Sequence, residues 1–495
     1  MSTSFEHTTS LDQNKMNSTR DPSTVDPTSI DNMLAQEFLS LSFHDRNKIN
    51  EEVHGVLCCS PAETPELIAE SIEKLDKELR LIPGSEKEMY SLSQSRFGRK
   101  NSSEEGGSYV NDKEFRLRFL RAELFDARMA ASKMVAFLHV VCDLFGEYAL
   151  QRPIRLSDFT EPELHTFRTG NLQLLPFRDR SGRRIIAGVE GLAIQFDADL
   201  RFKILFYLLW VGGQDLETQL KGFVVIIWPV SDVAIQHMKN RERLVQVQKE
   251  RLRGTPVRTC SFHFCVPDNP LSHMLRMIFT LTLDARKRCR LKFHVGHPVE
   301  LQYLVKGYGI PVDHIPLTET GNVKTQNLKV WMKLRSTIEE GRDGAVNIIE
   351  CPGSNDVLFR PSKLIKGHPG NVKFQSLIEY YHEQGLGVTA ASKEIVALIL
   401  KKKGRILVWD KRGWWTKLTD PAQMQFKVSV SYRDYKKKNK GRTQISNSST
   451  FVFQQEKKRR RLEEATASPT ANKSYCDFFS IDGGIRPAAL GWLQE

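Results

Sequence analysis

Long apolar runs are missing from this 495-residue chain. None approaches the roughly 18 consecutive apolar residues that a membrane span needs. The best, "ILFYLLWVGG" (204–213) and "GFVVIIWPV" (222–230), have the length of a buried helix and a buried strand. Cysteines are few, eight in all, and form neither a C-x-x-C pair nor an even ladder. That spacing argues against disulfides and a zinc knuckle and for a reducing compartment, cytosolic or nuclear. The opening "MSTSFEHTTSLDQNKMNSTRDPSTVDPTS" has no apolar core of a secretory signal, and residues 1–30 read as a disordered N-terminus.

Signatures of catalysis are missing too. There is no Ser-His-Asp, zinc or phosphate-loop pattern, and "KGYGIPVDH" has spaced glycines without a strand before them and a phosphate-binding helix after. His263, Cys265, His294 and His297 sit in the alternating stretches "SFHFCV" and "KFHVGH", where strand faces account for them without a metal. The chain is therefore expected to be no enzyme, with no metal and no cofactor.

What is present is charge, unevenly spread. Of the net +13, the segment 350–442 carries +11, from nineteen Lys/Arg against eight Asp/Glu. A near-neutral part is joined to a strongly basic one.

Periodicity organises the near-neutral part. Residues 31–57 read as one helix with Asp31 as N-cap, and 64–83 as another with Thr64 at the cap and Pro65 at its first position. A Gly/Ser-rich linker spans 95–108. Residues 112–148 read as a helix pair: Leu117, Leu120 and Leu124 line one face, Asp126 caps the second helix, and Ala130, Met134, Phe137, Leu138 and Val141 continue the core. From 176 onward strands alternate with helices: "RIIAGVEG", a helix from about 197, "KGFVVIIWPV", a long helix around 233–252, "TCSFHFCV", an apolar helix over 271–283, "RLKFHVG" and a helix from Pro298. Such alternation predicts an α/β domain with a mainly parallel sheet.

Four stretches carry a resemblance. "KEFRLRFLRAELFDARMAASKMVAFL" has the Phe119-Leu120-Arg121-Ala122 … Phe125-Asp126 … Ala130 pattern, followed in register by "DRSGRR" (179–184), "DLETQLKGFVVII" (215–227) and "LVKGYGIPVDHIPLTETG" (304–321). Over about 112–335 the chain resembles the CRAL-TRIO lipid-binding family. The resemblance implies a helical N-lobe (31–150) and a lipid-binding α/β lobe (151–345) whose sheet floors an apolar pocket under a movable gate helix. It implies a function of binding or transferring a phospholipid such as phosphatidylinositol or another small lipophilic molecule, in a protein that is cytoplasmic and peripheral to membranes. The gate position falls on "PLSHMLRMIFTLTL", with Met274, Leu275, Met277, Ile278 and Leu281; a plain core helix is the other reading, and its place between two strands favours the gate. Phe223 and Val225 are the pocket candidates on the sheet. Arg290 is the headgroup candidate, since a guanidinium can hold a phosphate with two parallel bonds; a solvated arginine in "RKRCRLK" is the alternative. Arg116, Arg118 and Arg121 are expected to face solvent, headgroups or acidic partners. Trp228-Pro229 stands where the family often has Asp and Gly.

The second part, about 355–434, resembles an algal domain family of unknown function, through Asn355-Asp356-Val357-Leu358 and His368-Pro369-Gly370-Asn371, with Arg360-Pro361-Ser362 in place of the family's glycine loop. A small basic α+β domain is expected over 350–440 and a disordered basic tail over 441–495. Two helices, a hairpin with Trp409, Trp414 and Trp415, and a basic helix after Pro421 have the order of a wing-bearing DNA-binding domain. Lys401, Lys402, Lys403, Arg405, Lys436, Lys437 and Lys438 would meet nucleic-acid phosphates or, equally, an anionic membrane surface. "KKRRR" (457–461) has the composition of a nuclear-import run. The alternative function is thus a nucleic-acid-associated nuclear regulator with the lipid domain as its sensor.

Overall fold

The computed structural model describes residues 27–95, 108–189, 197–228, 241–268, 270–318, 321–342, 344–360 and 364–443. The chain divides into two compact units, 1–175 with 183–325, and 176–182 with 326–495. Among the described residues no helix is long and apolar enough to cross a membrane.

The first unit opens with helices α1 (Pro27–Leu39) and α2 (Phe43–Val53). The single helix expected over 31–57 is thus broken at 40–42, because Ser42 turns its hydroxyl to the backbone of Asp45 and starts a new helix. Thr64 caps α3 (Pro65–Leu81), accepting from the Leu67 amide at 3.1 Å as its sequence predicts. After α4 (Glu88–Ser95) come α5 (Lys113–Ala122) and α6 (Ala127–Phe145). Between them Leu124 and Phe125 take left-handed φ of 54° and 68°, which bulky residues rarely adopt, and Asp126 caps α6. Phe115, Phe119 and Phe137 pack edge to face with one another.

Helix α7 (Glu161–Arg168) leads into a five-stranded sheet of β1 (Leu172–Leu174), β2 (Arg184–Val189), β3 (Phe223–Trp228), β4 (Thr259–Val266) and β5 (Leu291–Val295). The order is β1-β2-β3-β4-β5; β1 is antiparallel to β2 and the other pairs are parallel. The connections are α8 (Ala198–Gly212) with α9 (Leu216–Lys221), then α10 (Arg241–Arg253), then α11 (Pro270–Thr282) with α12 (Ala285–Arg288). Parallel strands in chain order, joined by crossovers of one hand, return each helix to the same face. Helix α13 (Pro298–Gly307), after β5, covers the other face, where Leu301 and Val305 pack with Ile185, Ala187, Val224 and Ile226. The mainly parallel α/β sheet expected from the alternation is present. The edge strand β1, only three residues long, was not foreseen.

The second unit holds α14 (Gln326–Glu339), β6 (Ile348–Ile349), β7 (Val357–Phe359), α15 (Pro369–Glu383), α16 (Val388–Lys401), β8 (Ile406–Trp409), β9 (Trp415–Lys417) and α17 (Pro421–Thr443). Its sheet runs β6-β9-β8-β7, with β7 and β8 parallel and the other pairs antiparallel. Met424, Val428 and Tyr432, spaced by four on α17, share a core with Ile395 and Ile399 of α16 and Leu377 and Ile378 of α15. The hairpin expected around the tryptophans is therefore part of a four-stranded sheet, because Val357-Leu358 adds a parallel strand to it.

Candidate functional site: the apolar sheet face under α11

Alternation along β3, β4 and β5 sends one residue in two toward α10 and α11. Register places them in rows: Val225 beside Phe262 beside Leu291, Ile227 beside Phe264 beside Phe293, and Val266 beside Val295. These eight positions carry no polar side chain. Leu252 of α10 and Leu283, just past α11, pack on the first row, and Phe279 of α11 meets Phe264 with ring centroids 4.2 Å apart. The cover is incomplete: Val225, Ile227 and Phe293 are only partly buried, and Val295 is exposed.

Helix α11 meets this face with Phe279, and its Arg276 guanidinium lies 4.7 Å over the ring of Phe293. Thr280 and Thr282 turn their hydroxyls to the carbonyls of Arg276 and Ile278, at 2.7 and 2.8 Å, so neither asks for a partner outside the helix. Met277 and Ile278 are buried. Leu281 is 40% exposed, on the outer side of the helix, and so does not belong to the sheltered set. The side chains of Met274 and Leu275 lie outside the described residues. Phe223 is also displaced from the site: it is fully buried and packs against Gly212, where a Cβ would come within 2.7 Å of its ring.

The opposite face carries the polar groups. Ser261, His263 and Cys265 of β4 and Lys292 and His294 of β5 point there. His263 Nδ1 lies 3.0 Å from His294 Nε2, and its Nε2 lies 3.1 Å from Ser261 Oγ. Tyr308 packs its ring against both imidazoles and stacks on His54. Burial pushes both imidazoles down, His294 to about 4, with the neighbouring Lys292 adding to the effect. Among the described residues no group of three or more His, Cys, Asp and Glu is arranged to hold a metal ion.

The arginines read from the sequence as outward-facing are mostly interior. Arg118 is buried, donates to the Trp210 carbonyl at 3.2 Å and lies 3.8 Å from the centre of that indole; desolvation pulls its guanidinium down to about 9. Arg121 is buried among Glu63, Glu114 and Gln219. Arg116 bonds Asp76. Arg290, the headgroup candidate, donates to Glu52 at 3.1 Å and to the Arg286 carbonyl at 2.9 Å, so its fork is already engaged. Glu52 also holds Arg258, and Arg183 donates to the Glu52 and Val53 carbonyls at the end of α2. Sequence offered no sign of this, since Glu52 lies more than 200 positions from Arg258.

In the second unit the shared motif residues are structural. Asp356 accepts from the Gly353 amide and from both the backbone and the guanidinium of Arg405, which removes Arg405 from the free cations. The Asn371 amide pairs with the N–H and C=O of Leu358, as a neighbouring strand would. Gly370 touches the Asp356 backbone so closely that a Cβ would fall 2.0 Å from its carbonyl oxygen. Lys401 and Lys403 are exposed and Lys402 half-buried at the end of α16, where cations meet the open carbonyls. Lys436, Lys437 and Lys438 are exposed on α17. Trp414 and Trp415 are buried, while the Arg360 guanidinium lies 3.8 Å over Trp409. The run 457–461 lies outside the described residues.

No protein-family model matches the chain, and no curated protein is similar to it.

Proposed function

We propose that this chain binds a phospholipid or another small lipophilic molecule between the β3–β5 face and α11, and acts as a carrier, not an enzyme. The observation that carries the reading is the all-apolar, incompletely covered face itself. A face whose eight positions in register include no hydrogen-bonding side chain can shelter an acyl chain without stranding a polar atom. Val225, Ile227 and Phe293 stay partly accessible although aliphatic and aromatic side chains gain by full burial. The four motifs that resemble the CRAL-TRIO family support the same reading, with α11 as the gate. The test is lipid extraction: the purified chain, incubated with mixed vesicles and separated from them, should carry one lipid detectable by native mass spectrometry. Met277→Asp should lose that lipid while keeping a thermal midpoint close to the parent's. A chain that remains lipid-free sinks the proposal, and outright unfolding of Met277→Asp makes α11 a core helix.

A second reading is favoured by the exposed Lys436, Lys437 and Lys438 on α17. These cations suit an anionic partner, a nucleic acid in the regulator reading. Its affinity would fall steeply with salt, because each phosphate contact releases a counterion. A tagged chain confined to the cytoplasm would count against the nuclear form of this reading.

A further inference from the structure

We infer that α1 is an electrostatic latch on α11 and that an anionic bilayer surface releases it. The inference rests on the lipid-pocket reading for its purpose, though not for its structural basis.

The two N-terminal helices are attached differently. Helix α2 is anchored: Glu52, 1% exposed, is held by Arg258 and Arg290, and Arg183 takes up its last carbonyls. Helix α1 buries Ile30 and leaves Met33, Leu34 and Phe38 half-buried, and ion pairs hold it at its charged rim. Asp31 pairs with Arg276 of α11, and Glu37 grips Arg288 of α12 with both oxygens, one of them 2.7 Å from Nε. The Asp31 side chain is 52% exposed, which makes its pair the weak one, whereas Glu37 and Arg288 are 23% and 16% exposed and make the firmer hold. Ion pairs with one wet partner are weak and screened by salt, whereas breaking a buried pair leaves a charge stranded. The break at 40–42, where Ser42 starts α2 afresh, lets α1 lift while α2 stays.

Arg276 connects the latch to the site. Its guanidinium also lies 4.7 Å over the ring of Phe293, which lines the apolar face. Freeing it from Asp31 loosens the helix that covers that face. The release chemistry follows from sign. Arg276, Arg286 and Arg288 cluster on α11 and α12, and Arg286 is largely exposed, reaching only Glu123, at 3.5 Å. A negative bilayer attracts these guanidiniums and repels Asp31 and Glu37, so one field acts on both halves of each pair. A neutral bilayer does neither.

The test is hydrogen exchange by mass spectrometry on the full chain. Without lipid, Asp31→Asn with Glu37→Gln should raise exchange over α11 about tenfold or more, the loss expected for one exposed and one part-buried pair, and leave β3 and β4 unchanged. Unchanged exchange over α11 overturns the latch. The exchanged-charge pair Glu37→Arg with Arg288→Glu should restore slow exchange; failure to do so assigns the effect to packing and rejects the proposal. Vesicles of phosphatidylserine and phosphatidylcholine in equal parts should speed α11 in the parent chain at low salt only. An equal response to pure phosphatidylcholine overturns the bilayer as the releasing partner. Lipid extraction run in parallel separates the two ideas: accelerated α11 with no bound lipid keeps the latch and rejects the pocket, and bound lipid with unresponsive α11 does the reverse.

Discussion

The two faces of the five-stranded sheet come from alternate residues of the same strands, yet they differ in chemistry and in cover. Toward α13, Ile185, Ala187, Val224 and Ile226 are sealed, and Ser261, His263 and His294 satisfy one another. Toward α11, the eight side chains in register on β3, β4 and β5 are apolar, three of them partly accessible and Val295 exposed. A permanently covered face can hold polar groups, because their hydrogen bonds are made once, on folding. The proposed uncovering of the other face, with refilling by an acyl chain, requires apolar side chains there, since any polar group would lose water without gaining a partner.

The sharpest way to break this comparison is a pair of neighbouring truncations. Ile226→Ala, on the sealed face, should cost about 3–4 kcal/mol, and Ile227→Ala, on the other, about 1–2, measured by chemical denaturation. Equal losses would remove the difference in cover. Next in size is an acid effect confined to the α13 side. His263 and His294 stay neutral in the fold, while in the unfolded chain each takes up a proton near the ordinary value of 6.5. The unfolded state therefore binds more protons as pH falls, and stability present above about 6.5 is lost down to about 4, where His294 protonates in the fold. Arg183, Lys292 and His54 add positive charge nearby and work in the same direction. The expected loss from His294 alone is about 3 kcal/mol, and His294→Asn should reduce the slope while leaving the share of His263; an unchanged slope between pH 6.5 and 4 would exclude His294 as a source. The smallest effect is expected at the open end of the α11 face, where Val295→Ala should change stability by no more than about 0.5 kcal/mol. A larger loss would mean that the face is closed there.

Much of the fold was legible from local signals. Thr64, Asp126 and Pro298 mark helix starts because capping is settled within a few residues, and "TCSFHFCV" and "RLKFHVG" read as strands from alternation alone. The break at Ser42 was missed because the apolar period runs across it. Strand β7 was missed because three residues carry too little pattern, and its parallel partner β8 lies some fifty positions away. The site was half legible. The apolar helix and Val225 stood out, whereas Phe223 and Leu281 went to the packed interior and to the surface, a distinction periodicity does not make.

Arginine is where sequence reading reached its end. Sequence determined that the chain is basic, that its excess charge lies in 350–442, that 222–230 is a continuous apolar strand, and that "SFHFCV" and "KFHVGH" alternate. Tertiary structure alone decided which cations are spent internally: Arg290 on Glu52, Arg405 on Asp356, Arg121 on Glu63, Arg276 on Asp31. The reason is physical. Propensity and periodicity act between residues a few positions apart, while the partner of a charge is chosen by whichever carboxylate the folded backbone brings within 3 Å of it.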